Sequence, residues 1–505
     1  MNTRGVNFIA AAPPLSSEAV RLDAVLMVGL GTPHPGPLPA SLAARLVAYG
    51  TPITGEQLYG LPVPISSWTC FEAWFECTRP IVGNDQRCLT PLAAAVRAFF
   101  IHGGRDLTVI VVGESPAAGA REAVRIQALE QLLFGSTGRW SAAVAREELL
   151  STWLPAICDD ITDEMSWHGI GRLMGLHAVA LVALPDLVEL TAMDSSPVDP
   201  IPVIGDASVT LCCAPAGSAT PLTVVVEPRH DTTGFTLWVR LVNHIVTWIR
   251  QYHRTVQTVL SAPLPQKSSA PFRDPHTYLA ALGCDRSLDD GGTASAFVVI
   301  SGGWLAGSLA DNTSGNLLAG DSVVAALLAK NSTRIGAWRS ATNMSVSAVR
   351  VEPADGLSTR NILATRLCLL EQTANGIRLG SDVTTSLDSA WRPGMVCRLL
   401  SLVLRLAQRH GEEFVFAPSS ERTWQQLVNR LDDILDVLTQ RGALAAGRSE
   451  EAYSVTCNRT TMSQSDIDHG RLIVRMILRP AAPVEAIDVQ LAVEGNSMLV
   501  AGGIL

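Results

Sequence analysis

Between Trp424 and Leu438 the apolar residues Trp424, Leu427, Val428, Leu431, Ile434, Leu435 and Leu438 recur at steps of three and one, the spacing of a single helical face. Glu421, Gln425, Asn429, Asp432, Asp433 and Asp436 fall on the other side, which is polar and acidic. That face suits either solvent or a partner surface. Ser420 is placed to cap the helix and Gly442 to stop it, and a strand is expected to lead into it over Phe414–Pro418. Further on, Arg471–Leu478 (RLIVRMIL) alternates imperfectly and predicts a strand presenting Leu472, Val474, Met476 and Leu478 as one set. Pro480 and Pro483 interrupt the chain, after which Ala486–Val493 (AIDVQLAV) alternates again. A strand set apart by prolines carries unpaired backbone donors and acceptors. Addition to the sheet of a neighbouring subunit would satisfy them.

The rest of the chain alternates between helical and extended patterns. Ala24–Gly31 is a short apolar strand, and Trp68–Phe75 a short helix with aromatics on one side. Thr90 and Pro91 open a helix that His102-Gly103-Gly104 stops, and Asp106–Val112 then reads as a strand buried on both faces. Helices are predicted over Ala120–Phe134, Trp140–Leu154, Phe235–Thr255, Leu305–Leu309, Ala319–Lys330 and Val396–Gln408. Strands are predicted over His177–Leu184, Leu222–Val226, Val256–Leu260, Ala296–Ile300 and Ser345–Val351, and apolar segments Leu357–Leu370 and Gly376–Gly380 flank a turn. This order predicts an α/β fold: a mostly parallel sheet flanked by helices, with an α+β block built from the chain ends.

The totals refine that picture. A chain of 505 residues has room for two to four domains. Hydrophobic residues make up 47% and charged residues 17%, with mean hydropathy +0.24, so much surface is expected to be buried within domains or between subunits. A net charge of −9 argues against binding nucleic acid through a basic face. The most apolar run, Ala178–Leu184, is strand-length, so no membrane insertion is expected. The first residues, MNTRGVNFIAAAPP, lack the pattern of a signal peptide, and export of the chain by itself is not expected. Ten irregularly spaced cysteines without a CxxC read as reduced thiols.

Catalytic patterns are weak. Val25–Gly36 offers Gly29-x-Gly31 after a strand, but the third glycine of a dinucleotide loop is missing and prolines follow. Gly320-Asp321-Ser322 lacks the context of a nucleophile elbow. His168 and His177, or His244 and His253, are nine residues apart, which does not place a pair on adjacent helical turns. No catalytic residue, cofactor or metal is therefore expected.

Several segments together resemble the contractile tail sheath proteins of bacteriophage tails and extracellular contractile injection systems. They are Gly5-Val6, Leu89–Val112, Gly169–Leu187, SGGWLAG (Ser301–Gly307), Trp391-Arg392, VFAPSSERTW, RGALAAGRSEEAYSVTC and IDHGRLIVRMILRPAAPVEAIDVQL. They span nearly the whole chain in the family's order. The resemblance implies an arm and the start of an inner domain over 1–30, and a further N-terminal segment over 31–89. It implies an outer, subtilisin-like but non-catalytic α/β domain over 90–350, a C-terminal inner domain over 351–480, and an arm over 481–505. The Pro/Ser/Ala-rich 191–220 would be an insertion. It implies tube-facing candidates at Glu421, Gln425, Asn429, Asp432, Asp433 and Asp436, and a platform strand at Leu472, Val474, Met476 and Leu478. Arm residues Val6, Phe8, Ile487, Val489 and Leu491 would pair with neighbouring subunits. Implied partners are copies of the chain, an inner tube protein, and baseplate and cap proteins, with assembly in a bacterial cytoplasm. The sequence departs from the pattern before Trp391, at Pro393-Gly394 and in the insertion. A specialised sheath paralogue or a non-contracting adaptor at baseplate or cap is therefore the alternative.

Overall fold

The computed structural model describes residues 21–46, 54–83, 85–135, 138, 145–194, 227–266, 274–352, 360–414, 417–445, 452–481, 487–494 and 497–504. Val6, Phe8, the segment 195–226 and the predicted strand Leu222–Val226 within it lie outside these.

The body is a nine-stranded sheet. Its strands are β1 (Ala24–Gly29), β2 (Pro62–Ile65), β3 (Asp106–Val111), β4 (Leu181–Ala183), β5 (Gln257–Ser261), β6 (Val298–Gly302), β7 (Ser345–Val346), β8 (Cys368–Thr373) and β9 (Gly376–Leu379). Their spatial order is β7-β9-β8-β6-β5-β4-β1-β3-β2. The run from β8 to β3 is parallel throughout, and the outer strands β2, β9 and β7 are antiparallel. The sheet thus takes strands from segments that the sequence separated at residues 30, 89 and 350. β1 is an interior strand, between β4 and β3, because a run buried on both faces can be satisfied only inside a sheet.

Alternation along the strands divides the interior into two cores. Val25 and Met27 of β1, Leu107, Val109 and Val111 of β3, and Val259 of β5 face one of them. Leu26, Val28, Ile110 and Leu260 face the other. Helices α1 (Pro91–Ile101) and α4 (Asp321–Asn331) pack in the first core, and α2 (Glu122–Phe134) and α3 (Thr232–Tyr252) in the second. Thr90 caps α1 through the Ala93 N–H at 3.1 Å, as its spacing before Pro91 predicts. Gly103, at φ +91°, then reverses the chain into β3.

The first core continues into a C-terminal block containing α5 (Gly394–Glu412), α6 (Glu421–Gln440) and strands β10 (Tyr453–Thr456), β11 (Leu472–Leu478), β12 (Ile487–Glu494) and β13 (Ser497–Ile504). Two arginines of α5 join this block to the body. Arg398 forms a bidentate ion pair with Asp382 at 2.6 and 2.9 Å, both side chains being almost fully buried. Asp382 also accepts the Ala341 N–H at 2.8 Å. Arg405 donates to the carbonyls of His177, Ala178, Val179 and Thr255, just ahead of β4 and β5. Burial without a facing carboxylate pushes its pKa down to about 10.

Several expected elements differ. The helix expected over Trp140–Leu154 is described only from residue 145, and there it is one turn, Arg146–Leu149. Arg240 holds the carbonyls of Leu150 and Thr152, which ends it. The strand expected over His177–Leu184 is confined to β4, preceded by a 3₁₀ turn at Gly169–Gly175. The small-residue helix expected at Leu305–Leu309 is instead a strand, Trp304–Ala306, paired with Leu318–Ala319 and Arg350–Glu352. The expected strand Ser345–Val351 is split between β7 and Arg350–Glu352, which belong to different sheets. Among the described residues no strand leads into α6: the Phe414 N–H bonds to the Gly411 carbonyl and the Ala417 N–H to the Phe414 carbonyl.

The C-terminal ends of the parallel strands, where open α/β sheets hold ligands, are filled. A cavity of about 30 Å³, room for a water or two, is lined by Arg79, Glu189, Trp304 and Asp321 among others. A Cβ on Gly29 would lie 2.5 Å from the Asp186 carboxylate, and the Leu30 N–H already donates to that carboxylate at 3.0 Å. The Gly29-x-Gly31 bend is therefore occupied by protein. Ser322 is fully buried in the first turn of α4.

Asp186 and Asp321 are both buried, and burial pushes each carboxyl up to about 7. Arg79, paired with Glu189 at 2.6 Å, partly offsets this for Asp186. A carboxyl raised in the folded state from 3.8 favours folding fully below pH 4, and that contribution is lost as pH rises through 7. Replacing Asp321 with Asn removes the penalty. The stability of Asp321→Asn relative to the wild type should therefore rise by roughly 1–3 kcal/mol between pH 5 and pH 8. Urea unfolding at the two pH values measures this; a difference that does not change with pH refutes it.

Candidate assembly surfaces

Helix α6 begins where Ser420 accepts the Thr423 N–H at 3.3 Å, and Trp424 Nε1 donates to Ser419 Oγ at 3.1 Å. Trp424, Leu427, Leu431, Ile434, Leu435 and Leu438 are buried, and Val428 is half-buried, as the spacing predicts. Gly442, at φ +73°, ends the helix.

The polar stripe separates into two parts. Glu421, Gln425, Asn429 and Asp433 are exposed, with Gln425 donating to Asn429 at 2.9 Å. Asp432 and Asp436 are half-buried against β10, where the Tyr453 hydroxyl donates to Asp436 Oδ1 at 2.9 Å and lies 3.2 Å from the Asp432 carbonyl. Burial, then the neighbouring Asp436 and Asp433, raises the Asp432 carboxyl. The Asp436 carboxylate and the Asp432 backbone carbonyl thus meet the Tyr453 hydroxyl, and the four exposed candidates are the ones fully available to a partner.

β11 alternates buried and half-buried along its length. Leu472, Val474, Met476 and Leu478 are all in the core shared with α6, while Ile473, Arg475 and Ile477 are half-buried on the other face. Each fully buried side chain of this kind contributes about 1.5–3 kcal/mol.

The C-terminal strand does not stand apart from its own chain. β12 pairs antiparallel with β11 over seven positions, from Leu472 opposite Val493 to Leu478 opposite Ile487. This corrects the expectation that Ile487, Val489 and Leu491 lack partners within the subunit: their backbone groups are taken up by β11. β13 then closes a hairpin on β12, from Ile487 opposite Ile504 to Glu494 opposite Ser497. β13 is not among the strands predicted from the sequence. Its signal in the sequence is Gly495-Asn496 between two apolar runs, a dipeptide of the kind favoured between hairpin strands. The resulting sheet order β10-β11-β12-β13 leaves β13 at an edge among the described residues.

The histidines fall elsewhere. His253 lies beside His177 and Arg405, and burial followed by those two charges pushes its pKa down to about 4. His244 packs edge-on to Phe134. Among the described residues no group of three or more His, Cys, Asp or Glu side chains is arranged to hold a metal ion. No described helix is long and apolar enough to cross a membrane. The eight described cysteines are unbridged, and six of them are buried.

No protein-family model and no curated protein sequence matches the chain. Solved structures do. Over 96% of its length the chain is similar to a chain in the anti-feeding prophage baseplate in the contracted state, covering 97% of that chain at TM-score 0.58 and 19% identity. It is similar over the same share to the anti-feeding prophage helical sheath in the contracted state, covering 97% of that chain at TM-score 0.54 and 18% identity. A chain of the sixfold-symmetrised baseplate of that particle matches with TM-score 0.53 and 17% identity, again over 96% and 97%. Over nearly its full length the chain therefore shares the fold of chains in the sheath and baseplate of a contractile particle.

Proposed function

We propose that the chain is a sheath subunit that polymerises around an inner tube and contracts to drive tube and spike through a target envelope. The observation that carries this is the likeness of fold, over nearly the full length of both chains, to the sheath of a contractile particle. In this reading the C-terminal block and the chain ends lie near the tube, and the nine-stranded body lies further out. Repeated heterologous contacts that do not close give a helical polymer. Two packings of rigid subunits that differ in free energy supply the stroke, so nucleotide hydrolysis by this chain is not required. Assembly takes place in a bacterial cytoplasm, with baseplate and cap proteins at the ends. Negative-stain microscopy of the chain expressed with its tube protein should show sheathed tubes. Monomers at micromolar concentration would overturn the proposal.

Two of the similar chains come from baseplates, which supports a second reading: a sheath-like subunit confined to a ring at the baseplate. Discrete rings in the same micrographs would identify it.

The exposed part of the α6 stripe is the candidate tube-facing surface, with a basic strip as its complement. Glu421→Lys with Asp433→Lys should reduce tube-templated assembly about tenfold at low salt, and less at high salt. Asp432 and Asp436 are unsuitable for this test, because replacing Asp436 unpairs the Tyr453 hydroxyl. Templated assembly that is unchanged in the double variant would rule out this surface.

A further inference from the structure

A second pair of surfaces lies outside the arms and the α6 stripe. Residues 151–168 form a built loop. Ile157 and Cys158 are buried beneath it, Trp167 Nε1 donates to the Ile161 carbonyl at 3.2 Å, and Asp163 accepts the Met165 N–H at 2.9 Å. Held this way, the loop presents Trp153 at 76%, Met165 at 79% and Ile161 at 37% exposure. Asp159, Asp160, Asp163 and Glu164 are exposed among them, and there is no Lys or Arg between Arg146 and Arg172. Large apolar side chains held in water at fixed positions mark an interaction surface rather than chance exposure. The surrounding charge specifies a basic partner.

The chain carries such a surface itself. At the ends of α1 and α4, Ile101 is 50% and Ile335 57% exposed, with Val349 at 71% nearby. Arg105 and Arg334 are exposed and Lys330 is half-buried. The Ser347 N–H donates to His102 Nε2 at 3.0 Å, and the Lys330 side chain runs beside Gly103, so these segments form one patch. No Asp or Glu occurs between Asp321 and Glu352. None of Arg105, Lys330 and Arg334 makes an ion pair with a described residue.

The two surfaces cannot meet within one subunit. The acidic loop rests on the core of α2 and α3, and the basic patch ends the helices of the opposite core, with the sheet between them. We propose that loop 151–168 of one copy docks on the 101–105 and 330–336 surface of the next, as a head-to-tail contact between subunits. Two different patches on opposite faces give a heterologous contact that propagates without closing. The proposal rests on the sheath reading in that its partner is a second copy of this chain.

Charge exchange tests it. One variant carries Asp160→Lys, Asp163→Lys and Glu164→Lys; a second carries Arg105→Glu, Lys330→Glu and Arg334→Glu. Each alone should raise the critical concentration for assembly by about tenfold or more, while circular dichroism shows a folded subunit. An equimolar mixture should assemble as alternating copies, and a chain carrying all six changes should assemble with itself. Trp153→Ala should weaken assembly by about tenfold without changing its salt dependence. Assembly of either charge variant at the wild-type concentration, or failure of the folded mixture to assemble, overturns the contact. Wild-type tubes unaffected by the exchanges would leave the sheath reading standing and remove the contact. Wild-type association into salt-sensitive oligomers without tubes, lost in each variant and regained in the mixture, would do the reverse. A monomeric wild type at all concentrations defeats both.

Discussion

Deleting residues 481–505 should leave a folded subunit that no longer polymerises. The deletion removes β12 and β13 but leaves β11 with its α6-facing side chains Leu472, Val474, Met476 and Leu478 in the core. The loss to the subunit is the β11 edge together with the approach of β13 to α5. In a sheath, however, the strand occupying that edge is the proposed link between copies. A single chain satisfies β11 with its own β12; a polymer can satisfy it with the β12 of a neighbour, in the same register and at no net cost in hydrogen bonds. In sequence, Pro480 and Pro483 stand between β11 and β12, a connection suited to either use. Velocity sedimentation should show the truncated chain as a monomer. A synthetic peptide spanning residues 487–504 should bind it in trans. Tubes from the truncated chain would end the strand-exchange proposal.

Arg398→Ala should cost about 3–5 kcal/mol of stability, the largest effect expected from a single substitution outside the apolar core. The guanidinium and the Asp382 carboxylate are both almost wholly removed from water, so deleting one leaves the other buried and uncompensated. Asp382 would retain the Ala341 N–H but lose both charged donors. The damage should also be directional. Arg398 lies on α5 and Asp382 follows β9, so the pair joins the C-terminal block to the body. Urea unfolding should show a lower midpoint, and loss of a single cooperative transition would indicate that the block now unfolds first. Replacing both partners by apolar residues, Arg398→Met with Asp382→Leu, should recover much of the loss. A cost below about 1 kcal/mol for Arg398→Ala would show that the pair does not hold the block.

Elements of sufficient length with one dominant period were legible from the sequence. α3 and α5 lie within a few residues of their predicted ranges, α6 lies where its apolar stripe places it, and the caps at Thr90 and Ser420 form the expected bonds. β1, β3, β5 and β6 were legible as continuous apolar runs, since a strand buried on both faces needs no alternation. Short segments failed. Trp304–Ala306 has three residues, too few to show any period, and its strand conformation follows from its two neighbours and from Trp304 Nε1 donating to Ala262 at 2.9 Å. For the candidate surfaces, periodicity found the α6 stripe but could not divide it. Asp436 is withdrawn from it by the Tyr453 hydroxyl, seventeen residues further along the chain, and Asp432 is half-buried beside it.

By itself, then, the sequence determined the α/β class, the long helices, the buried strands and the ordered set of segments that resembles sheath proteins. These depend on local periodicity and on residue order, which a chain carries before it folds. Tertiary structure alone decided that β1 lies between β4 and β3, that β12 returns to β11 and forms a hairpin with β13, and that Arg398 meets Asp382. It also placed the acidic loop and the basic patch on opposite faces. Each of these depends on strand order or on contacts between distant residues, and no local pattern encodes which distant partner will satisfy a backbone edge or a buried charge.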